Sequence, residues 1–459
     1  MKIILINAPV EKIVEEYDAP KYPHIGLAYL ATYANKNGLD VSVIDCKFER
    51  LTIGDLIVRL QTCKDKDLVV GLTAMTHEIV RNAFVARELK KNFPGIKIII
   101  GGVHVSALPE ETLKEFNTFD LGIVGEGEKT FVELVESLKG KNVLRDVKGI
   151  VYREGNKILL TEERGWIEDL DEIGYPDWEL FPRAKEYPIN IGRGCPVPCI
   201  FCMRASGKKS RYRSAKNILE ELEVLNTRYT ATMVHFFGDD FAADKNLTEQ
   251  ILDGLIKMRP VFQWRAGMRV SNINKDLLEK MKKANCEHFE FGVESGNKEI
   301  LKIIKKGIVL EKVEEVIKLS KEVGLDCWCY FILGHPNENW NTAMDTLNFL
   351  RKINPKNAAV GIMVPYPGTE VWSMALKGEG GYKLLSRNWQ DYNKQIGNAL
   401  ELAELSRRQL EFLQMYAYIK LFLFNLRLGE FLEFCWHYRR EGMSFLRNYF
   451  IKSLRLQKH

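Results

Sequence analysis

The sequence predicts an α/β chain made of two successive sheet domains and a helical end. Short apolar runs alternate with amphipathic stretches that are long enough for crossover helices. This alternation stops near residue 140 and restarts near residue 186, and the last 60 or so residues are rich in aromatic and basic side chains. We therefore expect a doubly wound domain at 1–140, a connector at 141–185, a partial barrel at 186–375 and a helical region at 376–459.

The first domain contains five continuous apolar runs, which are typical of parallel strands buried on both faces. They cover residues 2–6, 41–45, 68–73, 96–101 and 120–124. Their regular spacing, with helical stretches between them, predicts a doubly wound sheet that binds ligands at its carboxyl edge. In the connector, two β-rich runs flank the sequence E-G-N-K and predict a hairpin.

The second domain contains six strand-like runs separated by helical stretches. They cover residues 187–193, 232–238, 262–269, 287–293, 325–334 and 357–365. Six β/α units predict a partial (β/α)6 TIM-like barrel, whose active site forms at the carboxyl ends of the strands.

Composition restricts the class of protein. The 459 residues include 66 basic and 61 acidic side chains, and this balance argues against a nucleic-acid partner. The nine cysteines follow no secretory start, so we expect a cytoplasmic protein whose thiols are free to bind metal. No apolar run reaches the roughly 18 residues that a membrane span requires.

Three cysteines form the most informative motif. Cys195, Cys199 and Cys202 have the spacing C-x3-C-x2-C in the run GRGCPVPCIFC. Three thiolates so close together suit one face of a cubane iron–sulfur cluster, and no fourth cysteine lies nearby to ligate the last iron. That iron is then open to a small molecule. The alternatives are a zinc site, which normally has four protein ligands, and cysteines that bind no metal.

The motif resembles the signature C-x3-C-x-aromatic-C of the radical S-adenosylmethionine (SAM) superfamily, with Phe201 as the aromatic residue. The resemblance implies that a [4Fe-4S] cluster binds SAM at its open iron and cleaves it to a 5′-deoxyadenosyl radical. It also implies an external electron donor of the flavodoxin or ferredoxin type. Phe201 is expected to shield the cluster and to pack against the bound nucleoside.

The ends of the second and third barrel strands match positions that this family uses for SAM. The resemblance implies that Asp239 or Asp240, after Gly238, contacts the SAM amino group. It implies that Arg269 contacts the SAM carboxylate through its planar fork of donors. The alternatives are a helix cap for the two aspartates and a surface ion pair for the arginine.

The later strand ends supply further candidates. The resemblance places Glu294 and Ser295 at the ribose or methionyl part of SAM, and Gly334 at the adenine. Tyr366 and Cys329 are candidate catalytic residues, if the tyrosine reaches the substrate and the cysteine faces the barrel interior. The alternatives are a packed aromatic residue and a buried structural cysteine.

The first domain resembles the cobalamin-binding domain that precedes the barrel in one branch of this superfamily. The matching pieces are NAP at 7–9, PHIGLAYLA at 23–31, GLTAMT at 71–76, GGVH at 101–104 and GEGE at 125–128. The cobalamin candidates are Thr73, Thr76, Gly101, Gly102, His104, Gly125 and Glu126. The chain departs from the cobalt-ligating motif D-x-H-x-x-G. Asp45 is followed by Cys46, Lys47 and Phe48, so the histidine of the motif is replaced by Lys47.

Within this branch the chain resembles the group of the anaerobic magnesium-protoporphyrin ester cyclase and the bacterial lipid C-methylases. The leading hypothesis is cobalamin-dependent methylation of an unactivated carbon in a small-molecule or lipid-like substrate. The alternatives are a radical cyclisation or oxidation without methyl transfer, and a binding protein whose barrel is inactive. The aromatic and basic C-terminal region suggests either peripheral membrane contact or helices that cap the barrel.

Overall fold

The computed structural model describes residues 1–10, 19–63, 67–238, 240–393 and 397–437. Its strands are β1 (Lys2–Asn7), β2 (Val41–Asp45), β3 (Leu68–Thr73), β4 (Lys97–Gly101), β5 (Leu121–Ile123), β6 (Ile150–Glu154), β7 (Lys157–Leu160), β8 (Glu186–Asn190), β9 (Gly192–Arg193), β10 (Arg211–Tyr212), β11 (Met233–Phe237), β12 (Gln263–Gly267), β13 (Cys286–Glu294), β14 (Asp326–Leu333), β15 (Asn357–Ile362), β16 (Tyr382–Leu384) and β17 (Leu400–Leu402). Its helices are α1 (Ile25–Lys36), α2 (Ile53–Gln61), α3 (Ile79–Asn92), α4 (Val103–Ala107), α5 (Pro109–Glu115), α6 (Gly127–Leu138), α7 (Ala215–Thr227), α8 (Lys245–Met258), α9 (Lys275–Lys283), α10 (Lys298–Ile303), α11 (Leu310–Val323), α12 (Trp340–Ile353), α13 (Glu370–Lys377), α14 (Arg407–Phe422) and α15 (Leu428–His437).

The first sheet has the strand order β2-β1-β3-β4-β5-β6-β7. Strands β1 to β5 are parallel, as their continuous apolar runs predict, and their side chains are almost all buried. The predicted connector hairpin is β6–β7, and it pairs antiparallel with β5. The sheet therefore extends past residue 140. The order of strands reverses between β1 and β3, so the carboxyl edge there is the expected place for a ligand.

The second sheet contains the six predicted barrel strands, all parallel and in chain order from β8 and β11 through β15. Because side chains alternate along a strand, each strand presents two faces. The outer face, which packs against helices such as α9 and α11, has the buried side chains of Trp264, Phe289 and Phe331. The opposite face, called here the inner face, has His235, Arg265, Glu290, Trp328 and Tyr330.

The C-terminal part is helical, as predicted, but it also contains the short β16–β17 hairpin. Helix α14 covers the exposed edge of the barrel sheet, where Gln414 donates to the Val360 carbonyl (2.8 Å) and Tyr418 accepts from the Val360 amide (3.2 Å). No helix of the described chain is long and apolar enough to cross a membrane. The basic residues behind the membrane-contact hypothesis lie beyond position 438, outside the described residues.

A buried arginine joins the two sheets. Arg213 is 3% exposed, and its guanidinium donates to the Tyr29 hydroxyl on α1 (2.9 Å) and to the Asn190 carbonyl at the end of β8 (2.8 Å). It also forms an ion pair with Glu221 (2.5 Å), whose pKa is raised by burial. Since neither charge is accessible to water, each depends on the other for compensation.

Arg213→Met should destabilise the fold, because it leaves Glu221 buried without its cation. We expect the free energy of unfolding in urea to fall by roughly 3–5 kcal/mol. The double variant Arg213→Met/Glu221→Leu removes both charges and should recover much of that loss. Equal destabilisation of the single and double variants would contradict a role for the unpaired carboxylate.

Candidate active site

The three motif cysteines lie on one loop whose base is closed by the β9–β10 pair. Gly194 begins the loop with φ +90°, and a Cβ there would lie 2.1 Å from the Lys209 carbonyl oxygen, so only glycine fits. The Cys195 amide donates to the Gly207 carbonyl (3.2 Å), and the Cys202 amide donates to the Cys199 carbonyl (3.2 Å). These bonds fold residues 195–202 into a compact turn that is ready to hold a ligand.

The cysteines are free thiols that differ in exposure: Cys199 is buried, Cys195 is partly buried and Cys202 is exposed. Burial raises the pKa of Cys199, while the nearby cations Lys306 and Arg269 oppose that rise. A metal ligand must be a thiolate, and positive charges beside the loop favour that form. A cavity of about 670 Å³ opens beside the loop and is lined by Cys199 and Cys202.

The donor set of the loop is three thiolates, the ligand type that iron–sulfur clusters take. A structural zinc site normally has four protein ligands, and the motif supplies three. In a cubane each thiolate binds a different iron, so its three cysteines lie farther apart than the ligands of one zinc. The Cys195, Cys199 and Cys202 loop therefore suits a [4Fe-4S] cluster.

Charged groups at the strand ends surround this loop. Glu294, which ends β13, is 6% exposed and forms an ion pair with Lys306 (2.6 Å). Its φ of +68° is unusual for a non-glycine residue and is typical of a constrained functional position. Arg269 donates to the Lys306 carbonyl (2.8 Å). Lys306 was not predicted from the sequence, because it follows a short helix rather than a strand.

Other SAM candidates have structural partners. Asp240 accepts from the Arg269 amide (3.1 Å) and from the Asn272 side chain (2.7 Å), so it fixes the backbone of Arg269. The Ser295 hydroxyl is buried and lies 3.0 Å from that of Thr346. Gly238 is exposed at the end of β11, and Asp239 lies outside the described residues. The SAM contacts assigned to these four residues stay predictions.

The turn after β14 is held by a buried carboxylate. Glu338 accepts from the amides of Gly334 (2.5 Å) and His335 (3.2 Å), and its second oxygen has no hydrogen-bond partner among the described residues. Burial raises the pKa of Glu338 to about 7 and lowers that of His335 to about 4. The His335 ring lies 6.2 Å from the ring of Phe201 on the cysteine loop. The predicted adenine turn at Gly334 therefore adjoins the predicted cluster.

The two candidate catalytic residues occupy different places. Tyr366 follows β15 and is partly buried, and its carbonyl accepts from the Thr369 hydroxyl (2.6 Å). Cys329 is 0% exposed and lies on the outer face of the sheet, 4.0 Å from the Cys327 sulfur. The interior position on which a catalytic role for Cys329 depended is therefore not observed. Alternation along a strand places Cys327 and Cys329 on one face, but it does not say which face is inner.

The cobalamin candidates lie along the carboxyl edge of the first sheet. Thr73 and Gly101 end β3 and β4, and Thr76 is buried in the turn that follows β3. Gly102 has φ +103°, and a Cβ there would lie 2.6 Å from the Ala74 carbonyl oxygen, so glycine is required by the packing of the chain itself. Gly125 is exposed on the same edge, after β5. Their contacts with cobalamin stay predictions.

Two polar groups on this edge bear on cobalt ligation. His104 is 1% exposed, and its Nδ1 has no hydrogen-bond partner in the part of the chain that the structure describes. Burial lowers the pKa of His104 to about 4. Its ring packs edge-on against Trp389 at 5.0 Å. Lys47 occupies the position of the missing histidine and forms a buried ion pair with Glu78. An ammonium held by a carboxylate has no free lone pair for a metal.

The GEGE turn connects the two domains through a charge cluster, defined here as Glu126, Glu128, Arg193 and Arg211. Glu126 accepts from both terminal nitrogens of Arg211 (2.9 and 3.0 Å), and Arg193 pairs with Glu126 (3.1 Å) and Glu128 (2.5 Å). All four side chains are 3–13% exposed. The Glu126 carboxylate predicted to contact cobalamin is therefore already bound by arginines that flank the cysteine loop.

Comparison with known proteins agrees with this architecture. A B12 binding domain model matches residues 12–135, and a Radical SAM superfamily model matches residues 189–350. A methyltransferase of Pyrococcus horikoshii, itself uncharacterised, is 32% identical over 432 residues, which cover 92% of this chain and 93% of the relative. The chain belongs to the radical SAM superfamily and has a B12-binding domain. Its cofactors are a [4Fe-4S] cluster, SAM and cobalamin, as predicted.

One further relative and one solved structure of similar fold help to describe this radical SAM chain. The anaerobic magnesium-protoporphyrin IX monomethyl ester cyclase of Rubrivivax gelatinosus is 28% identical over 391 residues, covering 82% of this chain and 69% of the cyclase. The structure of the methyltransferase TsrM from Kitasatospora setae, with cobalamin and a [4Fe-4S] cluster bound, matches with a TM-score of 0.72 at 16% identity. That match covers 92% of this chain and 90% of TsrM, and it confirms the predicted fold.

The raised pKa of Glu338 predicts a pH-dependent contribution to stability. The carboxyl group of a glutamate has a pKa near 4.5 in the unfolded chain, whereas that of folded Glu338 has a pKa of about 7. The contribution of this group to the free energy of unfolding is therefore complete below pH 4.5 and is lost as the pH rises to 7. Between pH 4.5 and pH 7, the free energy of unfolding of the wild type, measured in urea, should fall by roughly 2–4 kcal/mol relative to that of Glu338→Gln. Parallel stability curves for wild type and Glu338→Gln would contradict the raised pKa.

Arg193→Met should break the charge cluster next to the cysteine loop. Glu128 then loses its arginine, so we expect less iron per chain after reconstitution and a free energy of unfolding lower by about 3–5 kcal/mol. Arg228→Met is the matched control, because Arg228 is exposed, pairs with Glu179 on the surface and should cost less than about 1 kcal/mol. Normal iron content in Arg193→Met would show that the cysteine loop can bind iron without an intact charge cluster.

Proposed function

We propose that the protein is a cobalamin-dependent radical SAM methyltransferase that methylates an unactivated carbon of a small-molecule substrate. The observation that supports this proposal most is the methyltransferase of Pyrococcus horikoshii, which matches this chain along nearly its whole length. When bound, the cluster cleaves SAM reductively to a 5′-deoxyadenosyl radical, and cobalamin supplies a methyl group to the substrate. Both cofactors must therefore reach one substrate.

The contacts between the domains support a shared substrate space. Tyr22, in the segment before α1, packs against His235 (4.7 Å between ring centres) and Phe237 (5.9 Å) on the inner face of the barrel. His24, two residues further on, donates its backbone amide to Asp45 at the carboxyl edge of the first sheet (2.8 Å). A substrate on the inner face would therefore adjoin the predicted cobalamin edge.

The residues of the chain have distinct proposed tasks. The Cys195 loop holds the cluster, and Arg269 presents guanidinium donors to the SAM carboxylate. The Glu294–Lys306 ion pair holds the strained end of β13, where a ribose hydroxyl or the methionyl part is expected. Glu338 fixes the turn at Gly334 through two backbone amides.

A radical cyclase or oxidase is the second candidate, and the cyclase relative of Rubrivivax gelatinosus supports it. Both candidates use reductive SAM cleavage and therefore the same cysteine loop. They differ in the fate of the SAM methyl group, which reaches cobalamin only in the methyltransferase.

The methyl group of SAM can be followed without knowing the substrate. Protein reconstituted anaerobically with iron, sulfide and cobalamin is given reductant and SAM with a deuterated methyl group. We expect 5′-deoxyadenosine, S-adenosylhomocysteine and trideuteromethylated cobalamin, measured by mass spectrometry. Cys199→Ala should lose 5′-deoxyadenosine, because a thiolate ligand is missing. Formation of 5′-deoxyadenosine without S-adenosylhomocysteine would favour the cyclase, and absence of both would contradict the two enzyme proposals.

A further inference from the structure

Arg265 is a cation without a carboxylate partner on the inner face of the barrel. It lies in the middle of β12 and is half-buried. Its Nε donates to Nδ1 of His235 on the neighbouring strand (2.6 Å). Within the described chain Arg265 forms no ion pair, whereas Arg193, Arg211 and Arg213 do. Among the described residues its two terminal nitrogens have no hydrogen-bond acceptor, so they are available as donors.

The orientation of Arg265 is fixed by a chain of hydrogen bonds. Because arginine Nε can only donate, Nδ1 of His235 accepts, and the ring proton lies on Nε2. That Nε2 donates to Glu186 at the start of β8 (2.9 Å). Burial and the adjacent Arg265 lower the pKa of His235 to about 3, so the imidazole is neutral and does not repel the guanidinium less than 3 Å away. The Arg265 side chain is thereby pre-oriented for a ligand.

The inner face has room above this arginine. The next inner-face position on β12 is Gly267, where a Cβ would approach only Glu290, at 3.8 Å. By register, Gly267 lies between Glu290 of β13 and Phe237 of β11, which is 38% exposed and packs against Tyr22 (5.9 Å between ring centres). The hydroxyl of Tyr330 donates to Glu290 on the same face. The position above Arg265 on its own strand therefore carries no side chain, and an aromatic ring and a carboxylate flank it.

We propose that Arg265 binds a carboxylate group of the substrate on the inner face of the barrel. This assignment rests on the proposed function, since it names the substrate class that the same site accepts. A guanidinium with two free terminal nitrogens binds a carboxylate through two parallel hydrogen bonds. His235 and Glu186 act as positioning residues, because His235 accepts from Nε of the Arg265 guanidinium and Glu186 in turn holds the His235 ring.

The charges around Arg265 favour a carboxylate over a phosphate. Glu290 lies on the same face and accepts from Tyr330, and Glu186 lies behind His235. With Lys21 4.0 Å from Glu186, two cations face two carboxylates, and this balanced charge suits a monoanion better than a dianionic phosphate. The exposed ring of Phe237 beside this position also suits an organic acid better than an inorganic ion.

The test uses benzoate as the carboxylate probe and benzamide as its uncharged counterpart. Both are titrated into the reconstituted holoenzyme and followed by saturation-transfer difference NMR, with inorganic phosphate as a competitor. We expect benzoate to bind wild type more tightly than benzamide does, and its Kd to rise about tenfold or more in Arg265→Met. Gly267→Val keeps the arginine but fills the space, and it should weaken both probes.

The assignment would be overturned if benzoate did not bind to the wild type, or if its Kd were unchanged in Arg265→Met. Displacement of benzoate by an equal concentration of phosphate would also overturn it. Arg228→Met, on the surface, serves as the control for loss of an arginine charge. SAM cleavage by the same wild-type preparation is measured separately, so a failure of the proposed function is distinguishable from a failure of the carboxylate site.

Discussion

Buried charges restrict how the two domains of this protein can be arranged. Glu126 and Glu128 turn away from water into the domain boundary, where Arg193 and Arg211 neutralise them. Separating the domains would leave carboxylates and guanidiniums without partners in a poorly hydrated space, which is costly. Arg193 lies two residues before the first cluster cysteine, and the GEGE turn follows the last parallel strand of the first sheet. One group of ion pairs therefore holds the cysteine loop against the carboxyl edge of the first sheet.

The remaining site is built on the faces and ends of the barrel strands. The outer face uses large apolar side chains to pack against helices, which leaves the inner face free for polar residues such as His235, Arg265 and Glu290. At the strand ends, the Glu294–Lys306 pair and the Glu338 carboxylate shape the turns beside the cysteine loop. The expected result is a substrate space with radical chemistry at the strand ends and a methyl donor at its side.

Local sequence patterns are sufficient to predict the strands and to locate the cysteine loop, because apolar runs and closely spaced cysteines are properties of short segments. Nonlocal pairing was not predictable in the same way. Glu126 was recognised within its motif, but its partner Arg211 lies 85 positions away in the sequence. The connector hairpin was predicted, whereas its pairing with β5 was not. The β16–β17 hairpin was missed, since its three-residue strands are too short to show alternation.

If the cysteine loop and the carboxyl edge of the first sheet form one site, the two cofactors lie close enough for their unpaired electrons to interact. Electron paramagnetic resonance of the reconstituted protein detects this interaction in a sample that contains both cob(II)alamin and the one-electron-reduced cluster. We expect the two signals to be split or broadened by magnetic coupling, relative to samples with either centre alone. Two unperturbed, independent signals from a fully loaded protein would contradict it.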